Sequence, residues 1–253
     1  MPELPAQIDL LRSTDWRTLI ILDACRWDVF EAVLAHCIPR GLQPRPVRSP
    51  ATCTAEWLIA VKPALEAEDT TYYTANAFVE RERAGRGLRV DLRNVWLRHM
   101  TPCGLDGRQT VQPWVMNAVV LRQEMPAGVC PRPRARRVVH YAQPHYPPVA
   151  MKLSAVSGCR CDYEASAEVV MRAALHLAGL LPGPTVITAD HGDMQGEDDL
   201  YGHDCRWDRP ELWTVPWLEL AADAAEGRRR KAEGRSDDDD TTVEQNLEAL
   251  GYA

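Results

Sequence analysis

The stretch "VITADHGDMQGEDDLYGH", Val186 to His203, decides the fold. Its opening apolar run, rich in β-branched residues, reads as a short buried strand. The run ends in Asp190-His191-Gly192, and further acids and a second histidine follow. A carboxylate and an imidazole at the carboxyl end of a strand, with a glycine to let the chain turn, either cap a helix or hold a divalent ion. What the other strands end in decides between the two.

Outward from this stretch, strands and helices alternate. In "TLIILDACRWDVFEAVLAHC" (18–37) the continuous apolar run Leu19–Leu22 suits a buried parallel strand. It breaks at Asp23, and helical spacing follows through Val29, Val33 and Leu34. "SPATCTAEWLIAVKPALEAE" (49–68) is a polar turn leading into an amphipathic helix, and "DTTYYTANAF" (69–78) is a strand closing on small polar residues. "RARRVVHYAQPHYPPV" (134–149) is a strand running into a His- and Pro-rich loop. "DYEASAEVVMRAALHLAGLL" (162–181) is a helix stopped by Pro182-Gly183-Pro184, and "TVPWLEL" (214–220) is a last strand. The expected fold is therefore α/β, a three-layer sandwich around a mainly parallel sheet. Three strands end in Asp23, in His140/His145 and in Asp190-His191. Ligands in such sheets bind outside the carboxyl ends of the strands.

The 253 residues suit one domain, with a variable Arg- and Pro-rich insert over about 80–135, where only "QPWVMNAVVLRQEM" (112–125) has helical spacing, and a charged loop over about 227–240. The closing "TTVEQNLEALGYA" (241–253) reads as a capping helix. A net charge of −7 excludes a general nucleic-acid partner. No apolar run is long enough to span a membrane. "MPELPAQIDLLRSTDW" (1–16) has early acids and no signal-peptide core, so the expected location is cytoplasmic. The eight cysteines (25, 37, 53, 103, 130, 159, 161, 205) are scattered, and Cys159-Arg160-Cys161 lacks the spacing of a zinc knuckle or redox pair. They read as free thiols of a reducing compartment.

The blocks "LIILDACRWD", "SPATCTAEWL", "YYTANAF", "HYAQPHYPP", "VITADHGDMQGE", "YGH" and "VPWLEL" resemble, in order, those of the alkaline phosphatase superfamily. The likeness is to its small sulfatase-like members, of arylsulfatase or phosphoglycerol-transferase type, and covers about residues 18 to 220. The resemblance implies a metal-dependent hydrolase or transferase acting on a small phosphate or sulfate ester. By that likeness Asp23, Asp190 and His191 bind metal, and the nucleophile, itself a metal ligand, opens the helix after "SPATC". Thr54 is the first candidate for it and Thr52 the second; read on its own, either hydroxyl caps that helix. One imidazole among few carboxylates points to zinc or manganese rather than calcium, with one firm site and a second possible.

Two departures stand out. Cys53 is followed by "TAEW" without the arginine of the formylglycine signal, and Asp23 is followed by Ala24 where sulfatases carry a second aspartate. Both favour phosphoryl chemistry over a sulfatase. The likeness makes His145 a substrate contact or general acid, with His140 a weaker substrate contact. His203 completes a second metal site or protonates the leaving group. Arg26, one helical turn from Asp23, either grips a phosphate oxygen or forms a salt bridge. Asp193 and Glu197 read as solvent-facing or capping residues, Trp57 and Trp207 as packing residues, and His36, His99 and His176 as structural. The rivals to an esterase are a sulfatase and a non-catalytic binding or scaffold relative that keeps the fold.

Overall fold

A computed structural model describes residues 3–37, 42–66, 69–103, 108–125, 136–145 and 160–221. The strands are β1 (Thr18–Asp23), β2 (Arg45–Arg48), β3 (Thr70–Thr74), β4 (Asp91–Asn94), β5 (Met100–Cys103), β6 (Arg108–Val111), β7 (Arg136–Pro144), β8 (Thr185–Thr188), β9 (Met194–Gln195), β10 (Tyr201–Gly202) and β11 (Thr214–Leu220). The α-helices are α1 (Gln7–Ser13), α2 (Trp27–Cys37), α3 (Thr54–Leu65), α4 (Ala77–Arg86), α5 (Trp96–His99), α6 (Pro113–Glu124), α7 (Arg160–Ala178) and α8 (Pro210–Trp213).

β1 is buried at every position, as its unbroken apolar run requires, and it lies at the centre of a seven-stranded sheet ordered β2-β11-β8-β1-β7-β3-β4. β8, β1, β7, β3 and β4 are mutually parallel. β11 runs antiparallel to β8 and also to β2 at the edge. One face carries α2, α6 and α7, and the other α1, α3 and α4. In α7 the buried residues Ala167, Val170, Met171, Ala174, Leu177 and Ala178 recur at helical spacing and form the stripe laid on the sheet. The expected three-layer α/β architecture is therefore the observed one.

A buried polar bridge joins the α1–α3 layer to the sheet. Gln7 donates to Thr188 Oγ1 at 2.8 Å and to the Ala189 carbonyl at 2.7 Å, and it accepts from the Trp57 indole at 2.8 Å. Gln7 and Trp57 are both fully buried, so these bonds replace water for every polar atom concerned.

Within the insert, the described residues 80–103 and 108–125 hold more regular structure than their composition predicts. They hold most of α4, then β4, α5, the β5–β6 hairpin and α6. Short edge elements of this kind bury little, so they leave no strong periodicity in the sequence. The cysteine reading is corrected in part: Cys53 and Cys205 form a disulfide with a Cα–Cα distance of 5.2 Å, whereas Cys25 and Cys103 are free and buried. Their separation of 152 residues hides such a pair from any reading of local spacing. No helix among the described residues is long and apolar enough to cross a membrane. The charged loop at 227–240, the closing helix at 241–253, and Cys130 and Cys159 lie outside the described residues.

Candidate active site

The carboxyl ends of β1, β7 and β8 meet at one point above the sheet. Asp23 closes β1, and the chain turns at once through Ala24, whose φ of 59° is unusual for a residue with a side chain. That turn is held from two sides. The Ala24 N–H donates to Asp190 Oδ1 at 3.0 Å, and the Ala24 carbonyl accepts from the buried Tyr163 hydroxyl. Asp190 leaves β8 with its carbonyl bonded by the Ser49 hydroxyl. Gly192 packs so tightly that a Cβ there would sit 1.9 Å from the Glu211 carbonyl oxygen, while its N–H donates to Leu212 O at 2.7 Å. The glycine of the Asp-His-Gly sequence is thus required by the close approach of the Glu211 carbonyl.

Thr54 is the first residue of α3, with Cys53 as the N-cap. Its hydroxyl donates to Asp190 Oδ2 at 2.7 Å, and His191 Nε2 lies 3.3 Å away. His191 Nδ1 faces the Gly192 carbonyl at 2.8 Å, which can only accept, so Nδ1 carries the proton and Nε2 presents a lone pair. That lone pair is 3.8 Å from Asp23 Oδ1 and 3.5 Å from Asp190 Oδ2. His140 reaches the same point from β7, its Nε2 3.8 Å from Asp23 and 3.7 Å from Asp190, with Tyr72 Oη on its Nδ1 at 2.9 Å. Asn76, the N-cap of α4, donates to Asp23 Oδ2 at 2.6 Å.

Burial and mutual contact set the charge states of this cluster. Burial, reinforced by Asp190, pushes the Asp23 carboxyl well above the usual carboxylate range, against the lowering effect of Asn76. Burial also acts to raise Asp190, but His191, His140, the Ala24 N–H and Thr54 together hold it below its usual value. Burial lowers the His191 imidazole to about 4 and lowers His140 as well, so both rings are neutral near pH 7. Two carboxylates and two neutral imidazoles, with Asp23, His140 and Asp190 each able to offer an atom within 4.8 Å of the others, form a donor set suited to zinc or manganese. The buried His140 Nε2 has no hydrogen-bond partner, which fits a group that a cation would engage.

A second cluster lies beside the first. His203 Nδ1 donates to Asp193 Oδ1 at 3.0 Å, and the His203 ring lies 4.1 Å from that of His191 and 5.0 Å from that of His145, centre to centre. The His145 N–H donates to the Asp23 carbonyl at 3.0 Å, which seats the loop after β7 against the end of β1. His145, Asp193 and His203 also bring one donor atom each within 4.8 Å of one another. Both histidines line a cleft of about 290 Å³ together with Asp23, Thr54 and Asn76, and its far wall is formed by Phe78, Trp96 and Met100.

Several expectations are corrected. Asp193 is 5% exposed and orients His203, so it is neither solvent-facing nor a helix cap. Glu197 is tied to Arg26 at 2.6 Å. Arg26 is a salt-bridge residue: Asp28 takes two of its N–H groups at 2.8 Å, and Glu197 and the Asp193 carbonyl take NH1, leaving it committed to the loop after Gly192 instead of the cleft. His140, read as a substrate contact, is fully buried and faces the two carboxylates. Thr52 bonds the Asp204 carbonyl at 3.1 Å and borders a different cleft, of about 300 Å³, beside Cys205 and Trp207, which leaves Thr54 as the hydroxyl at the cluster. Trp57 packs in the core, and His36, His99 and His176 sit on α2, α5 and α7. Asn76 and Tyr72 were missed. Asn76 had a visible signal, a cap residue at the end of a strand in "YYTANAF"; Tyr72 had none, because a tyrosine in a buried strand is ordinary core.

A mainly parallel seven-stranded sheet carries an acid–histidine cluster at its carboxyl edge, and the chain has the fold of the alkaline phosphatase superfamily. No protein-family model and no curated protein matches it in sequence. Solved structures do match. One is the integral membrane protein lipooligosaccharide phosphoethanolamine transferase A (EptA) from Neisseria meningitidis, at 13% identity and a TM-score of 0.58, over 85% of this chain and 49% of that one. The chain thus spans about half the length of that transferase. Another is an alkaline phosphatase superfamily protein from Vibrio parahaemolyticus, at 13% identity and a TM-score of 0.52, over 88% and 63% of the two chains. A third is the C-terminal periplasmic domain of EcEptC from Escherichia coli in complex with zinc, at 12% identity and a TM-score of 0.51, over 90% and 78%. The expectation of a cytoplasmic protein is corrected by these neighbours, which are an integral membrane protein and a periplasmic domain. The Cys53–Cys205 disulfide agrees with that correction, since such bonds persist in oxidising compartments.

Proposed function

We propose that this chain is a metal-dependent phosphoryl-transfer enzyme acting on a phosphate ester, with Thr54 as its nucleophile. The observation that carries the reading is the Thr54 hydroxyl at the amino end of α3, 2.7 Å from Asp190 Oδ2 and 3.3 Å from the His191 Nε2 lone pair. Asp23, Asp190, His191 and Thr54 would hold the ion, with His140 as a further donor. The ion, zinc or manganese, would supply the Lewis acidity that makes the hydroxyl nucleophilic near neutral pH. The neighbours' printed activities, phosphoethanolamine transfer among them, support the class of chemistry.

In this reading Thr54 Oγ1 attacks phosphorus and passes its proton to Asp190 or to solvent. The ester oxygen leaves and takes a proton from His203, whose Nδ1–H on Asp193 keeps the ring oriented. His145 sits on the same side and contacts the transferring group. Water in the hydrolase form of the reaction, or an acceptor alcohol in the transferase form, then gives a proton back to His203 and attacks phosphorus, and Thr54 Oγ1 leaves with a proton regained from Asp190 or solvent. The amino end of α3 favours the anionic phosphoryl group. A sulfatase working through formylglycine would have to consume the Cys53 thiol, which is already bonded to Cys205.

Peptide mass spectrometry tests the reading. The zinc- or manganese-loaded protein, quenched in acid after brief exposure to an aryl phosphate, is expected to carry phosphate on Thr54. Release of the phenol with no phosphate on Thr54, or with phosphate on Thr52, would overturn it.

A further inference from the structure

Beyond Glu197 on the buried Arg26, the His203 segment has little anchorage in the core. From Gln195 to Glu211 not one residue is buried, so this stretch leaves β9 and returns to Leu212 with almost no apolar packing to fix it. Among the described residues, Glu197 holds its start to Arg26 at 2.6 Å; past that the noncovalent ties include the His203–Asp193 bond, the Thr52 hydroxyl on the Asp204 carbonyl at 3.1 Å, Asp208 on the Trp213 indole at 3.1 Å and near Arg48 at 3.8 Å, an exposed Arg209–Asp198 pair at 2.7 Å, and the two-residue pairing of β9 with β10. Exposed pairs and single hydrogen bonds of this kind contribute little each. The one covalent tie is the Cys53–Cys205 disulfide. It ends on the N-cap residue immediately before Thr54 at one side and two residues past His203 at the other.

We propose that the Cys53–Cys205 disulfide is a positioning device for the reaction: it clamps the His203 segment to the amino end of the Thr54 helix, and a dithiol reductant switches the site down by cutting that clamp. This rests on the roles proposed above for Thr54 and His203. Cys205 is exposed and Cys53 is only 5% exposed, so a reductant meets the Cys205 sulfur first. A thiolate of the dithiol attacks Cys205 Sγ, the S–S bond breaks, and Cys53 leaves as a thiolate that takes a proton. The second thiol of the reductant then displaces Cys205, which also takes a proton. Two electrons and two protons pass from the dithiol, which departs as a cyclic disulfide. With the tie gone, Thr54 keeps its bond to Asp190, while His203 keeps one hydrogen bond, to Asp193, and its ring contacts with His191 and His145. Misplacement of a general acid by about 1 Å costs on the order of a hundredfold in rate.

The test follows the full chain in its oxidised state, after treatment with dithiothreitol, and as Cys205→Ser. A non-reducing peptide map first establishes the bond. His203 is then followed by its rate of modification with diethyl pyrocarbonate, and turnover by kcat and KM on an aryl phosphate. Cutting the bond is expected to raise His203 reactivity about tenfold and to lower kcat about tenfold or more, with KM little changed. Reoxidation restores both. Cys205→Ser behaves like the reduced protein and ignores dithiothreitol, which separates the effect from metal chelation by the reagent. Unlinked cysteines in the map, or unchanged His203 reactivity after reduction, would overturn the proposal. So would loss of all near-UV ellipticity on reduction, which would make the bond a general staple. Absence of turnover in the oxidised protein would count against the phosphoryl-transfer reading instead, and the His203 rate then decides this proposal alone.

Discussion

At the scale of single residues, the centre of the molecule is a set of titrating groups whose burial is tolerable only in particular charge states. Asp23 is raised by burial and by Asp190, so in the metal-free protein it retains its proton beyond the usual carboxylate range. A divalent ion must displace that proton. Metal affinity is therefore expected to weaken as pH falls through the raised Asp23 value, and calorimetric zinc titrations in buffers of different ionisation enthalpy should register proton release. The release should shrink toward higher pH, where Asp23 is already ionised; release independent of pH would contradict the assignment. His191 adds little to this in neutral solution, because its lowered value of about 4 leaves the ring neutral. At Thr54 the hydroxyl itself is what matters. Thr54→Ser should retain measurable turnover, whereas Thr54→Ala should lower kcat by about a thousandfold or more without emptying the site of metal. Equal losses in the two variants would remove Thr54 from the chemistry.

At the scale of elements, strand ends and helix starts were legible in the sequence, and edges and long-range pairings were not. β1, β3, β7, β8, α3 and α7 all follow from apolar runs or helical spacing, because each buries a face in the core. β2 and β4 are edge strands of four residues each, and β5 with β6 forms a separate hairpin; none carries a long enough pattern to be recognised. The site divides the same way. Asp23, Asp190 and His191 carry a local signal at strand ends, whereas Thr54 and His203 stand out only through the resemblance to a known family. The fate of Arg26 depends on Asp28 and Glu197, and that of Thr52 on Asp204, contacts that only the folded chain creates. Two variants probe how the elements hold the site. Gly192→Ala drives a methyl group into the Glu211 carbonyl and should cost about 1–3 kcal/mol or more, read as a lowered Tm together with lost metal. Gln7→Ala removes the acceptor of the buried Trp57 indole N–H and the side-chain donor to the Ala189 carbonyl and should cost about 1–3 kcal/mol in denaturant unfolding, with metal affinity little changed. Stability near wild type in either variant would mean that the neighbouring elements relax freely.

At the scale of the whole molecule, a parallel sheet gathers Asp23, Thr54, His140, Asp190 and His191 onto one edge, where burial raises the Asp23 carboxyl and lowers both imidazoles in the metal-free protein. An ion that binds only the folded state should stabilise the whole chain, by about 2.7 kcal/mol at a hundred times its Kd. The neighbours in fold include an alkaline phosphatase superfamily protein and a zinc-bound periplasmic domain, and the disulfide is of a kind that persists in oxidising compartments. The central claim is that Asp23, Asp190, His191 and Thr54 form a metal site, and its most direct test is a calorimetric zinc titration of the wild type beside Asp190→Asn, a change that keeps the shape of the side chain. The account predicts at least one tight equivalent in the wild type, weakened in the variant by about a hundredfold or more while its circular dichroism stays native. Equal zinc binding by both proteins, or none by the wild type, would contradict it.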